Sequence, residues 1–304
     1  MRKLLLLAAG IGAAALWSRR PRQMKNPIKN QVVLITGASS GIGRATALAF
    51  AARGARLALV ARREDRLQDL TAEIETEYGI EALAIPADLS LEKDLRHVFE
   101  TTQEHFGRVD ILVNNAGMFL GGPLEEASPT DVRRLLAVNL QAIIRLTQMV
   151  LPGMIQHGKG HIVNVSSMVS LLGAPGASVY AASKIAVNGF TAALRRELRD
   201  TGIGLTNFMP GWTDTDMIRS MDADEMRAAG MLNPLIFIDE PETVAEAIID
   251  AVRYNRNEVL FGGPMVTVGA WVARIFPGLY DFYYHYIADT EGMMDAMRTP
   301  QSHG

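Results

Sequence analysis

The sequence predicts an α/β protein: a doubly wound parallel sheet in three layers, α/β/α, with helices on both faces. Three observations carry this. Short apolar runs rich in β-formers alternate with longer helical patterns, and the first such run ends in a glycine-rich turn that opens a helix. A chain of 304 residues, 48% of them hydrophobic, can bury a large core. Strands that alternate with helices are joined by right-handed crossovers, which make the sheet parallel and cover both faces. A formal net charge of −3 gives no sign of nucleic-acid binding. Cysteine is absent, which excludes disulfides and thiolate metal sites, and six scattered histidines lack metal-ligand spacing, so no metal is expected.

Along the chain, Gln31 to Thr36 reads as a short buried strand, and Gly37, Ala38, Ser39, Ser40, Gly41, Ile42 and Gly43 lead into an alanine-rich helix. Glycine permits the tight turn and lets backbone N–H groups approach a pyrophosphate, while the helix N-terminus adds about half a unit of positive charge. A dinucleotide is the natural ligand of such a turn, although three residues between the first two glycines depart from the usual fingerprint. The second strand, Arg56 to Ala61, ends without the carboxylate that bonds the ribose of NAD, and Arg62 and Arg63 follow. Guanidinium groups match phosphate oxygens in pairs, so NADP is favoured, with Ser39 as a helper. The competing reading has both arginines on a solvated helix start, paired with Glu64 and Asp65. Glu81 to Pro86, Val109 to Val113, His161 to Ser166 and Ile203 to Met209 read as the other strands.

The run Tyr180, Ala181, Ala182, Ser183, Lys184 lies thirteen residues after Ser167. Residues four apart on a helix share a face, so the Lys184 ammonium is expected beside the Tyr180 ring. A neighbouring cation should pull the phenol below its ordinary value of ~10 toward working pH, where it serves as general acid or base. Ser167, at the end of its strand, can donate a hydrogen bond to the same substrate oxygen.

Together these segments resemble the short-chain dehydrogenase/reductase family from about Asn30 to Leu260. Thr36 to Gly43 (TGASSGIG), Asn114 to Gly117 (NNAG), Asn139, Ser167, Tyr180, Lys184 and the segment Pro210, Gly211, Thr215 match its motifs in order, with Thr213 where the family usually has Val or Ile. The resemblance implies a Rossmann-type fold and an NAD(P)-dependent enzyme acting on CH–OH and C=O groups. By that resemblance Tyr180 exchanges a proton with the substrate oxygen that Ser167 holds. Lys184 binds the nicotinamide ribose and lowers the tyrosine pKa, and Asn139 holds a water linking Lys184 to solvent. A buried amide bonded to neighbouring backbone is the alternative for Asn139. Asp88 and Leu89 are expected to cradle the adenine, Asn115, Ala116 and Gly117 to wall the cofactor, and Pro210 to Thr215 to close over the nicotinamide. A homo-oligomer pairing through the helices of Asn139 and Tyr180 is also implied.

The expected division is a hydrophobic segment at 1–25, a catalytic domain at 30–262 and an apolar, aromatic extension at 263–304. Leu4 to Trp17 is an uncharged apolar run, about 21 Å as a helix against a ~30 Å hydrocarbon core. Arg2 and Lys3 on one side, and Trp17, Arg19, Arg20 and Arg22 on the other, can anchor it at both interfaces with the catalytic domain in the cytoplasm. A cleaved signal peptide is the rival, since Ala13 to Ala15 offers small residues. Pro264 to Ile287, broken at Pro277 and Gly278, suits a membrane interface, a roof over the substrate cleft or an ordinary packed helix. The pocket segments Met118 to Leu120, Met168 to Leu172 and Trp212 to Leu232 are apolar, with Met217, Met221, Met226 and Met231 adaptable to a greasy ligand. A steroid, retinoid or acyl-chain carbonyl is the expected substrate. The alternative is a membrane-tethered NADPH sensor or scaffold without chemistry.

Overall fold

The structure, a computed structural model, describes residues 27–219, 221, 224, 226 and 238–299, with the side chains of 264–266 excepted. The expected N-terminal anchor and much of the lid segment, Met231 included, lie outside these residues. The strands are β1 (Val32–Thr36), β2 (Arg56–Ala61), β3 (Ala82–Pro86), β4 (Ile111–Asn114), β5 (Gly160–Val165), β6 (Ile203–Pro210) and β7 (Glu258–Phe261). They form one sheet in the order β3-β2-β1-β4-β5-β6-β7, with every pair parallel. β7 adds an edge strand to those read from the sequence; with Glu258 exposed and only Val259 buried, it lacks the continuous apolar run of the central strands.

Burial on both faces explains why the strands are apolar throughout rather than alternating. In β1, Val33 and Ile35 face one core with Phe50 of α1 (Gly41–Ala51), Leu70 of α2 (Glu64–Tyr78) and Ile248 of the helix Pro241–Arg253. Val32 and Leu34 face the other, with Val98 of α3 (Glu92–Phe106), Leu146 of the helix Ala142–His157 and Leu194 of the helix Ser178–Glu197. Ala142–His157 is α5, Ser178–Glu197 is α7 and Pro241–Arg253 is α9. Between them come α4 (Pro129–Leu136), joined to α5 by a π-helical turn, Ala137–Gln141, then α6 (Val169–Leu172) and α8 (Asp216–Arg219). Among the described residues one stretch, Pro129–His157, is long and apolar enough to cross a bilayer, but its Leu146, Val150 and Met154 are built into the second core. The extension folds as α10 (Pro264–Ile275), α11 (Pro277–Tyr286) and α12 (Thr290–Ala296), with the break at Pro277 where the sequence predicts it.

Candidate active site

Connections from β1 and β4, neighbours at the centre of the sheet, leave toward opposite edges and open a crevice at the carboxyl ends of the strands. A cavity of about 960 Å³ occupies it. The glycine turn at one end is tied to the end of β4. Thr36 Oγ1 accepts from the N–H groups of Asn115 and Ala116, both at 3.0 Å, and Asn115 Nδ2 donates to the Thr36 carbonyl at 3.0 Å. Gly37 has φ +69°, and a Cβ there would lie 2.9 Å from Ala116 Cα; one at Gly43 would lie 2.1 Å from the Gly37 carbonyl oxygen. Both glycines therefore serve close approach. Ser40, the residue before α1, makes no side-chain cap, which leaves the first N–H groups of the helix without that partner. Open N–H groups at a helix start and a turn without Cβ atoms fit a pyrophosphate.

Arg63 does not pair with Glu64 or Asp65. Its guanidinium donates to Ser39 Oγ at 3.0 and 3.2 Å, to Ser40 Oγ at 2.7 Å and to Asp216 Oδ2 at 3.3 Å, which holds it over the glycine turn. Arg62 is exposed and acts on Asp88 through its charge. Burial opposes the Asp88 charge, yet bonds from Ser90 and the guanidinium of Arg134 at 3.0 Å hold its pKa below the usual carboxylate value. Arg134 also lines the cavity, and nothing in the sequence singles it out.

Tyr180 and Lys184 lie one turn apart on α7, which is fixed to the sheet by a buried relay. Asn114 Nδ2 donates to Asn164 Oδ1 at 2.8 Å, and Asn164 Nδ2 donates to Thr191 Oγ1 of α7 at 2.9 Å. Lys184, 3% exposed, donates to the Val165 carbonyl at 2.9 Å, and its amine stands 5.7 Å from the centre of the Tyr180 ring. Burial pushes Lys184 down to about 8. The expectation that this amine lowers the Tyr180 pKa is corrected here: burial pushes the phenol up to about 12, and the hydrogen bond with Ser167 is what draws it partly back. The ammonium gives one of its three N–H donors to the Val165 carbonyl.

Asn139 is fully buried in the π-helical turn, a distortion often found at functional sites. Its amide donates to the Met118 carbonyl and accepts from the Met118 N–H, both at 2.9 Å, and donates to Ser183 Oγ at 3.2 Å. The backbone-bonded alternative is thus present. A Cβ at Gly117 would lie 3.6 Å from both Asn139 Oδ1 and Lys184 Nζ, so these groups converge behind that glycine. Gly37, Ser39, Ser40, Gly41, Ile42, Arg62, Arg63, Asp88, Leu89, Asn115, Ala116, Gly117, Ser167, Tyr180, Lys184, Pro210, Gly211, Thr213 and Thr215 all line the one cavity; Gly43 and Asn139 stand behind its wall. No cluster of three metal-ligating side chains exists among the described residues.

The other end is apolar. Phe119 meets the Tyr180 ring edge-on at 5.1 Å between centroids. Leu172, Trp212, Met217 and Met221 continue the wall, and the extension closes it with Tyr280, Tyr283, Tyr284, Met293 and Met297. Of the three readings open for the extension, a roof over the cleft is the one its inner face takes. It is seated by small residues: a Cβ at Gly121 would lie 2.1 Å from the Met297 carbonyl oxygen, and one at Gly176 would lie 3.0 Å from Met294 Cα. Thr299 N donates to the Gly121 carbonyl at 3.2 Å, and Arg298 pairs with Glu126. Met293 and Met297 carry no sequence signal beyond being apolar.

A model of the short chain dehydrogenase family matches residues 31–226. Dehydrogenase/reductase SDR family member 7B of Bos taurus is 31% identical over 264 residues, covering 85% of this chain and 81% of that protein. The L-sorbose reductase of Gluconobacter frateurii, solved with NADPH and L-sorbose, superposes with a TM-score of 0.74 at 27% identity, covering 80% of this chain and 99% of that one. A short-chain dehydrogenase/reductase of Burkholderia phymatum solved with NAD gives 0.74 at 26% identity, covering 84% and 96%. The crevice, its glycine turn and these likenesses agree: the chain belongs to the short-chain dehydrogenase/reductase family and is an oxidoreductase acting on alcohol and carbonyl groups.

Proposed function

We propose that the protein interconverts a carbonyl and an alcohol on a lipophilic compound with NADP(H), Tyr180 acting as general acid and base. The observation that carries this is the Ser167–Tyr180 hydroxyl pair, set where the glycine-turn end of the cavity meets its apolar end. A nicotinamide dinucleotide bound in the crevice supplies or accepts the hydride. In reduction, Tyr180 gives its proton to the carbonyl oxygen and Ser167 donates a hydrogen bond to that oxygen. Oxidation runs the same transfer backward. Lys184 positions the nucleotide ribose, and Asn139, anchored on Met118, holds a water beside the amine that returns the proton to Tyr180. Tyr180→Phe should keep NADPH binding, read by cofactor fluorescence, and lose turnover by about 10²–10⁴. Unchanged turnover would overturn the mechanism.

NADP is favoured because Arg63 sits over the turn on Ser39 and Ser40, and no carboxylate ends β2. The lipophilic substrate is favoured by the apolar wall from Phe119 to Met297. A polar ketose such as the L-sorbose of the Gluconobacter frateurii structure is the contrasting class. About a fifth of this chain falls outside that superposition. A panel of carbonyls with NADPH decides, and activity confined to small sugars would refute the lipophilic reading. Membrane association is supported by the apolar run Leu4 to Trp17 and by the outward residues Trp271, Ile275, Phe276, Leu279, Phe282 and Ile287, all exposed. Flotation of the full chain with liposomes tests it, and recovery in the soluble fraction alone would reject it. Pairing of subunits through α7, whose Ile185 is exposed, is the expected assembly; a monomer by light scattering would exclude it.

A further inference from the structure

The two faces of α11 are chemically different. Phe282 and Tyr286 point out and are exposed, while Tyr280 and Tyr284, one turn apart, are half-buried and line the cavity. The two inward hydroxyls lie 3.1 Å apart, with their rings edge to face at 4.9 Å. A pair of hydroxyls has two protons, and their mutual bond uses one. Whichever oxygen accepts keeps a proton to give, and in this half-buried place an acceptor oxygen on the substrate can take it. Tyr284 packs against the buried cluster of Met226, Met293, Ala296 and Met297, as do Phe119, Trp212 and Met221, and none of these side chains offers a strong acceptor. Phe119 also abuts Tyr180. One apolar wall therefore runs from the Ser167–Tyr180 pair to the Tyr280–Tyr284 pair.

We infer that Tyr280 and Tyr284 form a specificity subsite that donates a hydrogen bond to a neutral acceptor oxygen, such as an ester, ether or second carbonyl, at the far end of the substrate. The inference rests on the reading of the site as one for lipophilic carbonyls, and it names a substrate with two oxygens separated by an apolar body. A carboxylate fits poorly. The cavity arginines, Arg62, Arg63 and Arg134, belong to the glycine-turn end with Ser39 and Asp88, and among the described residues the wall around Tyr284 holds no cation to offset a desolvated anion. Both tyrosines lie beyond residues 31–226, the part that matches the family.

The test is steady-state reduction by the full-length protein with NADPH of three matched series: methyl alkyl ketones, methyl-ketone fatty acid methyl esters of the same chain lengths, and the corresponding free keto acids. At one chain length the ester should have a KM about 3- to 10-fold below that of the plain ketone, and the free acid should lose this advantage. Tyr280→Phe/Tyr284→Phe, which keeps both rings, should erase the ester's advantage, bringing the KM of the ester to that of the plain ketone measured on the same variant. NADPH affinity, set at the glycine-turn end, reports folding of the variant. An ester advantage that is absent at every length, or that survives the double variant, overturns the subsite and leaves the lipophilic reading standing. If no ketone of any series is reduced, the lipophilic reading fails and the subsite with it.

Discussion

The two ends of the cavity are held together by different physics. At the glycine-turn end, the turn is set by polar bonds and close backbone approaches: Thr36 clasps Asn115 and Ala116, Arg63 clasps Ser39 and Ser40, and Gly43 lies against Gly37. At the far end, Met221, Met293 and Met297 pack around Trp212 and Tyr284, and α10–α12 carry much exposed apolar surface. Directional bonds tolerate little substitution, whereas flexible thioether side chains adapt. The difference teaches where specificity of each kind resides: a constant ligand is met by fixed geometry and a variable one by adaptable packing.

The largest contrast expected is in pH dependence, which should belong wholly to the junction between the two ends. Because burial holds the Tyr180 pKa up at about 12, the proton needed for carbonyl reduction is present throughout pH 7–9, and the phenolate needed for alcohol oxidation is a minor species. Its share grows about tenfold per pH unit, so oxidation should rise about tenfold from pH 7 to 8 and less steeply above, where Lys184 loses the charge that positions the ribose, while reduction does not fall through loss of the Tyr180 proton. A flat oxidation profile at saturating substrate would place the proton transfer elsewhere.

Next in size, Arg63→Ala should raise KM for NADPH by about 10- to 100-fold, the worth of charge-assisted bonds, and leave NADH nearly unaffected. Equal losses for both cofactors would mean that the guanidinium only braces the turn. Matched glycine substitutions sharpen the comparison further. Gly43→Ala meets a carbonyl oxygen at 2.1 Å and Asn115 Nδ2 at 2.6 Å, so chemical denaturation should show a loss of about 1–3 kcal/mol together with weaker NADPH binding. Gly278→Ala in the extension meets nothing within 4 Å and should stay within about 0.5 kcal/mol of the parent. The smallest effect expected is Arg298→Ala, which removes an exposed ion pair to Glu126; calorimetry should show Tm moving by less than about 2 °C.

The glycine-turn end was readable because its demands are local. A strand that ends in Gly37 and reopens as a helix at Gly41 reveals a close approach, and Lys184 four residues after Tyr180 reveals a shared face. The partners of Arg63 were not readable, since Ser39 in the glycine turn and Asp216 at the start of α8 reach it from 24 and 153 residues away. Nor was the upward pKa of Tyr180: spacing reports that an amine is near but not that it is turned to the Val165 carbonyl. A backbone-bonded amide was one of the two readings for Asn139, but its partners Met118 and Ser183 came only with the structure, and β7, a half-exposed edge strand, lacks the continuous apolar run of the buried strands.

By itself the sequence determined the doubly wound sheet and the turn-and-helix motifs, because alternation of apolar runs and glycine placement act within a few residues. Tertiary structure alone decided that Met293, Met297, Tyr280 and Tyr284 form the roof of the same crevice. Apolar packing has no spacing rule across more than a hundred residues of chain. Its partners are chosen by which surfaces remain uncovered once the sheet has formed, and here Gly121 and Gly176 left the gap into which the last helix fits.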